Sequence, residues 1–294
     1  MSAITLLTTR NLHLFFRDRA GVFFSLLSAL ILIVLYALFL GNLQVDNLTD
    51  KLPGASSSDI HWFVDSWVFA GITMITTMTT ALAALSTFVD DKATDRFRDF
   101  LVSPVRRSHL IFGYFLSSFI VSVLMTVVIV VVGQLFLFTQ GHPILSPDRL
   151  VQVVGFAMLS SAAYAAVSSF IVTFLRTSGA FAALSTVVGT IIGFLAGAYI
   201  PVGTLPSGVV TTLNALPFAQ SAMLLRGPYT DQAIASLAEG AHAETVSDTI
   251  RAFYGVTASI GNFTVTTGFA VGILCAVLVV FSVLGGARLA RGIR

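Results

Sequence analysis

The sequence predicts an all-α integral membrane protein with six transmembrane helices, and three observations predict it. Of its 294 residues 56% are hydrophobic and only 10% are charged, against roughly 25% charged in an ordinary soluble domain. The apolar residues fall in long runs, and about 20 in succession are what a helix needs to cross the hydrocarbon of a bilayer. None of the runs shows the ten-residue alternation of a membrane barrel, which selects helices, whose backbone groups pair within the segment.

The first element, about residues 4–19, is expected to be a short amphipathic helix in the membrane surface. Arg10, His13 and Arg17 recur on one side of it while Leu12, Phe15 and Phe16 group on another; an ordinary basic flank that only sets orientation is the alternative reading. Spans follow at about 22–40, 63–89, 110–138, 150–175, 179–200 and 263–287. The first has no small-x-small cleavage site before Gly41-Asn42, so it is expected to remain in the protein. Cys275 stands alone in the sixth run and permits no disulfide within the chain.

Between the second and third spans, residues 90–103 form a connector. Ala93, Phe97, Phe100 and Leu101 recur at helical spacing along one stripe, with Asp95, Arg96, Arg98 and Asp99 around it, and Pro104 ends the helix at Ser103. Two phenylalanines and a leucine turned to water call for lipid or a protein groove. The segment 201–260 divides in two. Pro201, Pro206, Pro217 and Pro228 break a rather apolar stretch into short helices that dip into the membrane and return, and Asp231–Gly240 and Thr245–Gly255 read as two capped surface helices. No second domain is indicated; residues 1–294 read as one unit.

Six spans put both termini on one side. Twelve of the sixteen Lys and Arg residues lie on that side and four, Lys51, Arg149, Arg226 and Arg251, on the other, so the termini are expected in the cytoplasm. A net charge of +2 gives no reason to expect a nucleic-acid partner. Both lysines, Lys51 and Lys92, follow aspartates, so the chain has no glycine-lysine phosphate loop. No cofactor or metal is expected in this chain: its five histidines lack ligand spacing, and no serine stands in a nucleophile elbow. The spans are almost bare of ionisable groups, Asp65 excepted, which disfavours an ion-coupled carrier. Thr73, Met74, Thr77, Met78 and Thr80 offer a hydroxyl-lined substrate pathway, although threonines in membranes commonly satisfy their own helix carbonyls. Gly189, Gly193 and Gly197 recur at intervals of four and form a smooth strip, either for packing within one chain or for a homodimer seam.

Three clusters carry a family resemblance. They are Arg17-Asp18, then Leu101-Val102-Ser103-Pro104 followed by Leu110 and Gly113, and last Gly197-Ala198-Tyr199-Ile200-Pro201 with Leu205-Pro206, Leu216-Pro217 and Leu225-Arg226-Gly227. With this layout the chain resembles the permease subunit of a type-2 ABC exporter, a family that includes bacterial drug-resistance, sodium, antibiotic and polysaccharide exporters. The resemblance implies an elbow helix with Arg10, Arg17 and Asp18, a coupling helix over residues 90–103, and re-entrant outer helices containing Pro201, Pro206, Pro217 and Arg226. It further implies two permeases and two ATPase subunits, the latter binding ATP and Mg, and a substrate path along the permease seam. Arg19 stands where the family often has proline, and Lys92-Ala93-Thr94 where Arg-Gly-Thr is commoner; both bear on how the ATPase docks. The expected activity is export of a hydrophobic or amphipathic drug or antibiotic from a bacterial cytoplasm. A lipid-linked polysaccharide or sodium exporter, an ATP-independent carrier or channel, and a structural or sensory protein remain the other readings.

Overall fold

The computed structural model describes residues 2–94, 96, 107–238 and 243–291. Six of its helices are long and apolar enough to cross a membrane: Leu27–Lys51, Ser57–Ala93, His109–Thr139, Pro147–Val172, Ser178–Leu195 and Thr267–Arg288. A seventh would count only if the pair Ser207–Asn214 and Pro217–Leu237 were one span. These two helices bend by 87° at a two-residue break, a geometry shared by a broken span and by the re-entrant pair that the sequence leads one to expect.

Helix α1 (Ala3–Arg17) precedes the spans and is capped by the Ser2 hydroxyl, which accepts from the Thr5 amide. Its buried residues Leu7, Thr8, Asn11 and Phe15 face the third span. Asp18 then closes one helix and opens the next: its amide donates to the Leu14 carbonyl, and its carboxylate accepts from the Gly21 amide at 2.9 Å to start α2 (Arg19–Ser25). The first span continues as α3 (Leu27–Leu35), widens to a single π turn at Tyr36–Leu40, and runs on as α4 (Gly41–Lys51). Gly41 fits the wide turn, since a Cβ there would lie 2.6 Å from the Tyr36 carbonyl oxygen. The helix thus passes the expected boundary at residue 40.

The second span, α5 (Ser57–Ala83) with α6 (Ser86–Ala93), is the centre of the fold. Its most apolar window is 89% buried, against 11% for the fifth span and 17% for the sixth. It packs against α7 (Arg107–Thr139), α8 (Pro147–Val172) and the later re-entrant helix. The fifth span is α9 (Ser178–Leu195), whose first turn is capped by the Thr177 hydroxyl. Then come α10 (Ser207–Asn214), α11 (Pro217–Leu237), α12 (Ala243–Phe253) and α13 (Thr267–Arg291).

Two expectations are corrected on the far side of the molecule, the side away from the termini. Asp231 does not begin a surface helix; α11 runs unbroken through Pro228 and Asp231, because burial from Ala219 to Thr230 outweighs the proline's missing donor. The start expected for the last span at Phe263 is instead a β-strand. Ala258–Ile260 and Phe263–Val265 pair antiparallel, joined by a two-residue loop with Gly261 at φ +60°.

Candidate coupling and transport sites

Three consecutive charged residues end the second span, and each is tied to a different neighbour. Asp91 is buried at the base of the third span and accepts from both terminal nitrogens of Arg10, at 2.7 and 2.8 Å, and from the Tyr114 hydroxyl at 2.6 Å. This is a bidentate, charge-assisted pair with a third donor. The bond to Asp91, joined by its charge and opposed by burial, holds the Arg10 guanidinium above its ordinary pKa. Asn11 and Thr8 of α1 reach Ser117 and the Gly113 carbonyl on the third span, both at 3.4 Å. Lys92 donates to the carbonyls of Thr173 and Leu175, at 2.9 and 2.7 Å, at the end of the fourth span. Asp90 accepts from the Ser178 hydroxyl at 2.7 Å, at the start of the fifth.

The second span is therefore fastened to α1 and to three other spans where the connector begins. Sequence reading saw only a charged connector here; the signal was present as Asp90-Asp91-Lys92 directly after an apolar run. Of the expected elbow residues, Arg10 is part of this junction, Asp18 caps α2, and Arg17 is exposed. Of the expected coupling residues only Arg96 is described, and it is exposed. Asp95, Phe97, Arg98, Asp99, Phe100, Leu101 and Pro104 lie outside the described residues.

A groove opens between the first and fifth spans. Its termini-side half, about 520 Å³, is bordered by Asp18, Asp90 and Arg96 and by Thr79, Ser86 and Thr87 of the second span. Its far half, about 690 Å³, is more apolar, with Leu27, Ile31, Leu35, Phe194 and Ile200. Phe24, Ser28, Ser185 and Gly189 line both halves, so the two are continuous.

The residues expected to form a pathway do not line this groove. Thr73, Met74, Thr77, Met78 and Thr80 are buried inside the chain. The threonine hydroxyls donate to carbonyls of their own helix: Thr73 to Phe69, Thr77 to Met74 and Thr80 to Thr76, at 2.7, 2.6 and 2.6 Å. Thr79, on the opposite side of the same helix, is the threonine that reaches the groove. Helical phase decides this, and the phase is set by which side meets the third, fourth and re-entrant helices.

The glycine strip is also redistributed. Gly193 is covered by Tyr199 of the same chain, whose Cζ would stand 2.2 Å from an added Cβ. Gly197 lies beyond the helix end at φ +60°, with the Ala198 amide donating to the Gly193 carbonyl at 2.8 Å and the Gly197 amide to Phe194 at 3.0 Å. This is a glycine helix stop, not a packing strip. Only Gly189 remains half-exposed on the groove, beside Ser28.

At the far end of the groove every carbonyl from 196 to 199 is held by a side chain. Arg226 is buried and donates to Ala196 and Gly197 at 2.9 and 2.6 Å, and to Gly255 at 3.3 Å. Its guanidinium lies 5.4 Å from the Trp67 ring centre. No carboxylate pairs with it among the described residues, so carbonyl dipoles and the ring face offset the loss of hydration. The Tyr36 hydroxyl of the π turn lies 3.2 Å from both the Ala198 and the Tyr199 carbonyls, and Trp67 Nε1 donates to Tyr254 at 2.8 Å. Pro201 is buried beside this lock, Pro206 starts α10, and Pro217 starts α11 while its carbonyl accepts from Tyr164 at 3.1 Å. Farther out, Asp231 binds Arg149 and, at 2.8 Å, Arg251.

Compared with known families, residues 2–227 match the model of the ABC-2 type transporter family. No curated protein matches the chain.

Proposed function

The chain belongs to the ABC-2 type transporter family and is a membrane permease component of an ABC transporter, and we propose that it exports a hydrophobic or amphipathic compound, driven by a separate ATPase. The observation that carries this reading is the junction at Asp90, Asp91 and Lys92. A push delivered to the connector, residues 90–103, passes to α1 and to the third, fourth and fifth spans through the side-chain bonds of Asp90, Asp91 and Lys92. Coupling of this kind needs a contiguous, rigid contact path.

In this reading Phe97, Phe100 and Leu101 seat in the ATPase, with Asp95, Arg96, Arg98 and Asp99 as the charged rim and Pro104 at the helix stop. ATP and Mg sit in that partner, in two copies. A second permease covers the groove between the first and fifth spans, where Gly189 admits close approach and Thr79 and Ser185 supply hydroxyls to an otherwise apolar path. The excess of Lys and Arg on the termini side supports cytoplasmic termini in a bacterial inner membrane. The apolar far half of the groove supports a drug-like cargo over a sodium ion, which takes carboxylate or carbonyl oxygens.

Affinity purification tests the partner. The tagged wild-type chain carries an ABC ATPase with it, and Phe97→Asp or Phe100→Asp loses that ATPase while still inserting in the membrane. Recovery of equal ATPase by both variants removes the connector from the interface.

A further inference from the structure

The corner where the fourth and sixth spans end on the termini side gathers three cations, with Asp90, bonded to Ser178, as a neighbouring carboxylate. Arg176 follows the fourth span and Arg288 lies in the last turns of the sixth; neither forms an ion pair with a carboxylate among the described residues. Lys92 joins them. It donates to Thr173 and Leu175, the carbonyls on either side of Phe174, and it feels the charge of both arginines. Arg288 stacks 3.8 Å from the centre of the Phe174 ring.

From that ring an aromatic path leads toward the membrane interior. Phe174 meets Phe170 at 5.2 Å between ring centres, and Phe170 meets Phe281 at 5.5 Å. Phe281 then lines a narrow apolar slot of about 40 Å³ with Phe112, Phe115, Ser169 and Gly285. Phe281 and Arg288 are two helical turns apart, so the slot lies roughly 10 Å deeper than the charges. Phe174 and Phe112 are more than half exposed, so among the described residues no further helix of this chain covers the corner.

We propose that this corner binds one anionic phospholipid of the termini-side leaflet, its phosphate among Arg288, Arg176 and Lys92 and a short stretch of one acyl chain against the slot. Cations at the membrane surface attract anionic headgroups, and a slot one to two turns below holds a chain that a soluble anion lacks. The site adjoins the junction at the end of the second span, because Lys92 forms part of both.

The test is lipid retention by the purified protein after equilibration in vesicles of equimolar phosphatidylglycerol and phosphatidylcholine, read by native mass spectrometry. Phosphatidylglycerol is retained in preference, the doubly substituted R176Q/R288Q protein loses about thirtyfold of that preference, and Arg288→Lys keeps most of it. Gly285→Leu, which fills the slot, weakens retention of both lipids. Three results overturn the site: equal retention of the two lipids by the wild-type protein, an unchanged preference in a helical and monodisperse R176Q/R288Q protein, or displacement by soluble glycerol phosphate as effective as by the lipid.

Discussion

Asp91 receives both guanidinium nitrogens of Arg10, at 2.7 and 2.8 Å, across 81 residues of chain. The pair joins a helix that does not cross the membrane to the base of the most buried span. Tyr114 completes it from a third element. Removing one member of a buried pair leaves the other without compensation, at about 3–5 kcal/mol when fully buried.

Arg10 is partly exposed, so Arg10→Ala is expected to cost about 2 kcal/mol of stability. The functional effect should be larger: ATP hydrolysis continues while transport per ATP falls, because the connector no longer moves α1 with the second span. Paired thermal-unfolding and transport-to-hydrolysis measurements check this, and an unchanged ratio would detach the pair from coupling.

Arg226 should tolerate no ordinary replacement. Arg226→Met leaves the carbonyls of Ala196, Gly197 and Gly255 short of donors at a total cost of about 2–4 kcal/mol. Lysine keeps the charge but lacks the fork that spans two segments. A cysteine placed at Ala198 should become reactive to a membrane-impermeant maleimide in Arg226→Lys, having been protected with Arg226 present; equal protection in both backgrounds would show that the arginine does not hold the segment.

The two glycines of the fifth span should separate folding from assembly. Gly193→Ala drives a methyl into the Tyr199 ring and is expected to destabilise the chain by about 1–3 kcal/mol. Gly189→Leu, on the half-exposed groove, should leave the monomer folded and weaken self-association, as read by crosslinking in native membranes. Loss of folding in Gly189→Leu together with unimpaired folding in Gly193→Ala would contradict this division.

His142 gives the far side a pH dependence. It stacks on Trp62 at 6.3 Å, and burial, reinforced by the charge of His61 and partly opposed by Asp59, holds its pKa below the usual histidine value. The unfolded chain takes the proton first, near pH 6.5, so stability is full above that pH and falls as the pH drops from there toward the folded-state value. Melting temperatures at pH 7.5 and 5.5 should diverge more for the wild-type protein than for His142→Gln.

Much of the fold was legible because a bilayer makes strong demands on sequence. Long apolar runs near 110–138 and 150–175 reappear as helices within three residues of those bounds. The continuation to Lys51 was hidden, since the apolar run ends at Leu40, and only the wide π turn shows how the helix carries on through Gly41. The candidate site was less legible. Whether Thr77 or Thr79 meets the groove depends on which neighbours surround the second span, and the role of Gly197 depends on the helix ending at Leu195. The partners of Asp90, Asp91 and Lys92 lie up to 88 residues away, beyond the reach of local spacing.

This permease should do no uphill work unless a nucleotide-binding partner drives it. Uptake of an amphipathic fluorescent dye into inside-out vesicles measures it directly. Accumulation is expected only with the partner and hydrolysable ATP both present, and none with the chain alone or with Phe97→Asp. Concentrative uptake by the chain alone would contradict it.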